Sequence, residues 1–327
     1  MAGYVSRDYH VGWQGGIGDR LTLVILGRPS RHRVNWGDGP TKGYQDRYDQ
    51  NEDGVPDTAY ARHGYARDGV YDIAVREAGA GVIPPVRLHA HVHVRDGDGH
   101  EAVGGDMDEM FLMGGGDDVV RPGAGSDFVS AGDGNDRVYG GTGRVWVKAG
   151  NGDDLLYGGA GSDQLHGENG NDVIYGRGGY DLHYGDGGDD LLTADPGGSW
   201  LFGGAGRDRL VGGAGSDRAE GGAEADTLTG GVGGDLFQFD ADGRERDVIT
   251  DFGNDREGSR DVMRLEWAPH LRFIGTDAFS GAGREIRFAH RDGFTFVFGD
   301  VDGDMRADYS IKLNGVIELT AADFSLF

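Results

Sequence analysis

Cysteine is absent from the 327 residues, which excludes disulfides and thiolate metal sites. Positive charge is scarce: 31 Lys and Arg stand against 56 Asp and Glu, a formal net charge of −25. So acidic a chain suits neither nucleic acid nor anionic membrane surfaces, and it suits cations. Residues 1–20 (MAGYVSRDYHVGWQGGIGDR) lack the apolar core of a Sec-type signal peptide. No apolar run approaches the roughly 18 residues that span a bilayer, so no transmembrane segment is expected. Catalytic signatures are missing too. His100-Glu101 opens an HExxH-like string, but Gly104 stands where the second zinc-binding histidine would be. No G-x-S-x-G elbow occurs, and no catalytic constellation is found, so the chain is not expected to be an enzyme.

Glycine is in excess, with 65 residues, about three times its usual share. Each interior glycine weakens a helix by roughly 1 kcal/mol, so a helical globule is excluded. Collagen is excluded because the glycines do not recur at every third position. A 37% hydrophobic content still allows a buried core. The glycines keep a period of nine. From Gly104 to Gln238 the chain divides into fifteen nonapeptides without insertion, among them AGDGNDRVY (131–139), GGAGSDQLH (158–166) and GGAGRDRLV (203–211). This block holds 39 of the 65 glycines and explains the GxGxxG-like matches.

Position six of the unit is aspartate in twelve of the fifteen: Asp118, Asp127, Asp136, Asp154, Asp163, Asp172, Asp181, Asp190, Asp208, Asp217, Asp226 and Asp235. Position eight is a large apolar residue except at His183 and Ala219. Glycine lets the backbone turn tightly and bring its carbonyls to a cation. Aspartate adds the hard oxygen that Ca²⁺ prefers. Three extended residues follow, with position eight pointing inward. The pattern resembles the RTX (repeats-in-toxin) calcium-binding repeat GGxGxDxUx. The resemblance implies a right-handed parallel β-roll, two units per turn, with Ca²⁺ between loops eighteen residues apart.

The units without the aspartate are the first, fifth and eleventh, at Glu109, Val145 and Ser199. All are odd, so one edge of the roll is expected to carry an unbroken ladder from Asp118 to Asp226. The other keeps two adjacent pairs, Asp163 with Asp181 and Asp217 with Asp235. About six ions are expected on the even edge and about two on the odd edge. At about ten times Kd, some eight sites would together add on the order of 10 kcal/mol, the whole stability of a typical domain. The repeat block is therefore expected to fold only where calcium is plentiful. Trp146 and Trp200 follow two of the odd-edge gaps, either as caps on loops without an ion or as sugar-stacking platforms. Tyr139, Tyr157 and Tyr175 recur every eighteen residues and are expected to stack as a ladder. His183 is read as a packed core residue.

The tail after the repeats, including FIGTDAFSGAGREIRF (273–288) and the terminus LTAADFSLF (319–327), resembles the C-terminal region of serralysin-type proteases and related proteins. That resemblance implies an uncleaved signal for a type I secretion apparatus and an extracellular location. Asp323 followed by Phe324, Ser325, Leu326 and Phe327 matches the export pattern, with the serine interrupting its apolar run. Asp300, Asp302, Asp304 and Asp308 have the 1-3-5-9 spacing of a calcium loop, with Met305 where related tails often carry glycine.

Residues 1–96 lack the nonapeptide and contain alternating stretches, LTLVILG (21–27), RVNWGDG (33–39), VYDIAV (70–75) and VRLHAHVHV (86–94). Such strands argue for a β-sandwich. WGDG (36–39) and HGYARDGVYDIAV (63–75) resemble the PKD domain, an immunoglobulin-like module of spacing and binding. Asp49, Asn51, Asp53 and Asp57, with Gly54 at position six, are spaced as an EF-hand-type calcium loop, though Tyr60 stands where the bidentate glutamate belongs. His89, His91 and His93 alternate on one strand and form either a solvent face or a zinc row.

The expected fold is all-β: a PKD/immunoglobulin-like β-sandwich (1–96), a linker (97–103), the β-roll (104–238) and a β-rich cap with the secretion region (239–327). The expected function is that of a secreted calcium-binding module. A polysaccharide- or cell-surface-binding adhesin, or the noncatalytic C-terminal part of a secreted hydrolase, are the alternatives.

Overall fold

The computed structural model describes residues 99–325, apart from 195, 240–246, 254–258 and 266–270, and, for residues 1–98, the backbone of seven strands. Four of them, Leu21–Leu26, His32–Asn35, Gly69–Glu77 and Leu88–Val94, overlap the alternating stretches of the sequence, and Tyr9–Trp13, Asp46–Tyr48 and Thr58–His63 are additional. Tyr9–Trp13, Leu21–Leu26, Thr58–His63 and Asp46–Tyr48 form one antiparallel sheet. Gly69–Glu77 pairs antiparallel with both His32–Asn35 and Leu88–Val94, and the last runs parallel to Glu109–Gly115 of the repeat block.

The nonapeptides build two parallel sheets. Even-numbered units give strands such as Leu155–Gly159, Val173–Arg177 and Leu191–Thr193, and odd-numbered units give Arg144–Asn151, Gln164–Asn169 and Leu182–Gly187. Each strand pairs with the one two units away, so Leu155 lies beside Val173 and Gln164 beside Leu182, a constant register of eighteen residues. The result is a parallel β-solenoid of about eight turns.

Position eight points inward in every unit. Val138, Leu156, Ile174, Leu192, Leu210 and Leu228 line one sheet, and Val129, Val147, Leu165, Leu201 and Phe237 the other, all essentially buried. Burying each such side chain contributes about 1.5–3 kcal/mol. Many strands run past the expected three residues. Gln164–Asn169 alternates in and out through Gly167, so position one of the next unit also faces inward.

The roll begins and ends beyond the nonapeptides. Glu101–Val103, in the expected linker, pairs parallel with Val119–Arg121 and buries Ala102. At the other end Val248–Ile249 and Val262–Leu265 add one strand to each sheet, burying Ile249 and Met263. An antiparallel meander of Glu285–Arg291, Phe294–Asp300 and Tyr309–Asn314 then closes one sheet, and Phe324–Ser325 closes the other. Such caps cover edges that would otherwise template further strands. Among the described residues no helix is long and apolar enough to cross a membrane.

Candidate calcium-binding edges

All twelve position-six aspartates are buried, a costly placement for carboxylates unless their oxygens find partners. One oxygen does. On the even edge the backbone N–H of each position-six residue donates to Oδ1 of the aspartate one coil on: Asp118 to Asp136, Asp136 to Asp154, Asp154 to Asp172 and Asp172 to Asp190, each at 2.7 Å. The ladder continues from Asp190 to Asp208 and from Asp208 to Asp226. It therefore runs unbroken, as the parity of the missing aspartates implies.

The second oxygen is the informative one. Oδ2 of Asp127, Asp136, Asp154, Asp163, Asp172, Asp190, Asp208, Asp217 and Asp235 is buried and has no hydrogen-bond partner. Where position one is glycine, that oxygen occupies space a side chain would fill. A Cβ on Gly167 would lie 2.1 Å from Oδ2 of Asp172 and 2.9 Å from the carbonyl oxygen of Gly185. The same pair of oxygens converges at Gly158 (Asp163 with Gly176), Gly185 (Asp190 with Gly203), Gly203 (Asp208 with Gly221) and Gly212 (Asp217 with Gly230). A carboxylate oxygen and a backbone carbonyl meeting in a cradle kept open by glycine is the donor set of a hard cation such as Ca²⁺.

Electrostatics point the same way. Burial, with smaller contributions from neighbouring carboxylates and against the backbone hydrogen bond, pushes Asp154 and Asp190 up to about 8. It pushes Asp127, Asp136, Asp163 and Asp235 up to about 7, and Asp172, Asp208 and Asp217 to about 6. Burial thus disfavours the ionised form of these carboxyls, and a bound cation would offset that penalty.

The odd edge is more continuous than its missing aspartates suggest. The N–H of Val145 still reaches Asp163, and that of Ser199 reaches Asp217. The Ser199 hydroxyl accepts from Asp181 N–H at 3.3 Å, taking the place of the absent carboxylate. At Val145 the acceptor is lost.

Further rungs of the ladders lie outside the nonapeptide count. Asp226 N–H donates to Asp247 and Asp235 N–H to Asp261, each at 3.0 Å, extending both ladders by one rung. Their signal is Asp-x-apolar in DVI (247–249) and DVM (261–263), at spacings of 21 and 26 rather than 18. At the opposite end His100 N–H donates to Asp118. A second, exposed ladder runs along position five: Asn135 N–H donates to Asp117, Asp153 to Asn135, Asn171 to Asp153 and Asp189 to Asn171, each at 2.8 Å.

In the cap, Asp300, Asp302 and Asp304 bring carboxylate oxygens within 4.8 Å of one another. Met305 adopts φ 67°, the left-handed conformation that glycine would take. Asp308 instead accepts the N–H of Val301 at 2.6 Å. Asp49, Asn51, Asp53 and Asp57 lie outside the described residues, as do the side chains of His89, His91 and His93 on Leu88–Val94. Asp323 is buried, accepts from Thr320 N–H and is gripped by Arg260, while Leu326 and Phe327 lie outside the described residues.

Aromatic ladders cover both outer faces. Tyr139, Tyr157 and Tyr175 stack at 5.2 Å, with Arg177 over Tyr157. A second stack, of His166, Tyr184 and Phe202, was not expected. Trp146 packs edge-on against Phe128, and the partly exposed Trp200 has Arg218 4.9 Å from its ring centre.

Two parallel sheets edged by twelve buried aspartates, eight of which turn an oxygen toward the glycine at position one of their unit, define a calcium-binding β-roll. The family model for the RTX calcium-binding nonapeptide repeat matches the chain in four copies, at residues 114–147, 148–182, 184–219 and 211–242. RTX nonapeptide repeats bind Ca²⁺, so calcium is the cofactor of this region. The roll is a structural calcium-binding unit and is not catalytic by itself. No curated protein matches the chain. Among solved structures it is similar to the AlgE6R2 and AlgE6R3 subunits of the Azotobacter vinelandii mannuronan C5-epimerase, at 22% and 24% identity and a TM-score of 0.26 for each. Those matches cover 53% of this chain and 91% and 78% of the two subunits. It is also similar to the extracellular lipase LipA of Serratia marcescens, at 15% identity and a TM-score of 0.32, over 70% of this chain and 40% of the lipase.

Proposed function

We propose that the chain is a secreted, non-enzymatic binding or structural module that folds when calcium enters the two edges of its roll. The ligands are the twelve position-six aspartates with the carbonyls of the glycine turns, and Asp247 and Asp261 add one further rung to each edge. Asp300, Asp302 and Asp304, with Asp308, form a separate calcium loop in the cap, and Asp49, Asn51, Asp53 and Asp57 another in the N-terminal module. That module (1–96) is a PKD-like β-sandwich. The connection at 97–103 leads into the right-handed roll (104–238), and the cap (239–327) carries the type I secretion signal.

The observation that carries this reading is the buried, partnerless Oδ2 converging with a carbonyl at Gly158, Gly167, Gly185, Gly203 and Gly212. Anomalous scattering from crystals grown in calcium tests it. Peaks beside Asp136, Asp154, Asp172, Asp190 and Asp208, with fewer on the odd edge, are expected; equal occupancy of both edges would refute the parity argument, and bare cradles the reading itself. Export is tested separately, by deleting residues 323–327 in a strain carrying a type I apparatus.

A polysaccharide ligand is favoured by one feature, the cluster of Trp200, Tyr180 and Phe202 with Arg218 on one outer face. Glycan binding that survives Trp146→Ala and Trp200→Ala would remove those rings as the platform.

A further inference from the structure

One cradle has a nitrogen among its nearest atoms. At Gly158, Gly185 and Gly203 the oxygens nearest the position of a Cβ are an aspartate Oδ2 and a glycine carbonyl. At Gly176 the nearest polar atoms are Oδ2 of Asp181, at 2.5 Å, and Nε2 of His183, at 2.7 Å. The coil eighteen residues on begins at Ala194 in the sequence ADPGG rather than with paired glycines.

His183 occupies an inward position that holds an aliphatic residue in most units. Its register neighbours are Leu165 and Leu201, both buried. The ring is fully buried, and neither nitrogen has a hydrogen-bond partner. An unpartnered imidazole in an apolar core is unfavourable, and leucine at this position would avoid that cost. The arrangement becomes favourable if Nε2 binds a cation in the cradle it faces. Calcium is a poor candidate because it takes oxygen ligands, whereas imidazole suits Zn²⁺, Ni²⁺ and similar ions.

We propose that Asp181 and His183 form a mixed oxygen–nitrogen site for a divalent transition metal, set within an edge of otherwise all-oxygen cradles. The proposal rests on the reading of the cradles as cation sites. Loop carbonyls or water complete the coordination.

Co²⁺ reports nitrogen ligation through its visible d–d bands. The full chain, folded in saturating Ca²⁺, is titrated with Co²⁺ alongside His183→Leu and His183→Ala. Leucine is the ordinary occupant of position eight, and alanine occurs there at Ala219, so both variants retain calcium-induced β structure, checked by far-UV circular dichroism. The wild type is expected to bind one more equivalent of Co²⁺ than either variant, with d–d bands that excess Ca²⁺ does not erase and Zn²⁺ does. Histidines elsewhere contribute equally to all three proteins and cancel. Equal Co²⁺ uptake by wild type and variants, or a Co²⁺ signal displaced by Ca²⁺, overturns the proposal. Failure of the wild type to fold on adding Ca²⁺ would overturn the cradle reading instead.

Discussion

The backbone N–H of Asp154 donates to Oδ1 of Asp172, eighteen residues on, at 2.7 Å, while Oδ2 of Asp172 turns into the cradle at Gly167. One carboxylate thus has two separable tasks, stitching adjacent coils and presenting charge to a cation. Asp172→Asn keeps the acceptor and removes the charge, so it should leave the coil stacked but raise the midpoint calcium concentration and lower the stoichiometry by one. Asp172→Ala also strands a buried N–H, adding about 1–3 kcal/mol of destabilisation. Calcium titrations of the two variants, read by calorimetry and circular dichroism, separate these effects.

Gly167→Ala changes no charge, yet its Cβ would meet Oδ2 of Asp172 at 2.1 Å. It should weaken calcium-induced folding about as much as Asp172→Asn. Gly105, where an added methyl would have nothing within 4 Å, is the matched control, and Gly105→Ala should leave the calcium midpoint unchanged. Equal effects at the two glycines would show that chain stiffness, not the cradle, is being measured.

Much of this was legible in the sequence. Positions one, six and eight of the nonapeptide carry their roles in their chemistry: space, charge and apolar bulk. Asp247 and Asp261 were not legible as rungs because longer turns separate them from the strict period, although both precede an apolar pair that continues the sheets. The position-five ladder escaped notice because exposed Asp and Asn read as ordinary turn residues until Asn135, Asp153 and Asn171 are seen stacked. The mixed cradle at His183 depends on which ring nitrogen faces Gly176, a matter of three-dimensional packing that no spacing reveals.

Acid should partly replace calcium. Burial raises the folded carboxyls of Asp154 and Asp190 to about 8 and those of Asp172 and Asp208 to about 6, from an ordinary 3.8. A carboxyl raised on folding contributes stability that is fully present below the unfolded value and lost as pH rises through the folded one. In chelator, β structure should therefore be greatest below about pH 4 and fall between about pH 4 and 8. Saturating calcium should flatten that dependence. A circular dichroism pH series in chelator that shows no gain on acidification would oppose this.

The tyrosine ladder should matter for stability and not for calcium. Tyr157 stacks on Tyr139 and Tyr175 and lies under Arg177, so Tyr157→Ala should cost on the order of 1–2 kcal/mol in denaturant unfolding. Its calcium stoichiometry should match that of the wild type.

The central claim is that buried carboxylates make cations a condition of the fold. Far-UV circular dichroism with small-angle scattering, on the same sample before and after chelation at pH 7.5, tests it most directly. The account predicts loss of the β signal and an expanded chain on chelation, with both restored by added Ca²⁺. A spectrum and radius unchanged by the chelator would contradict it.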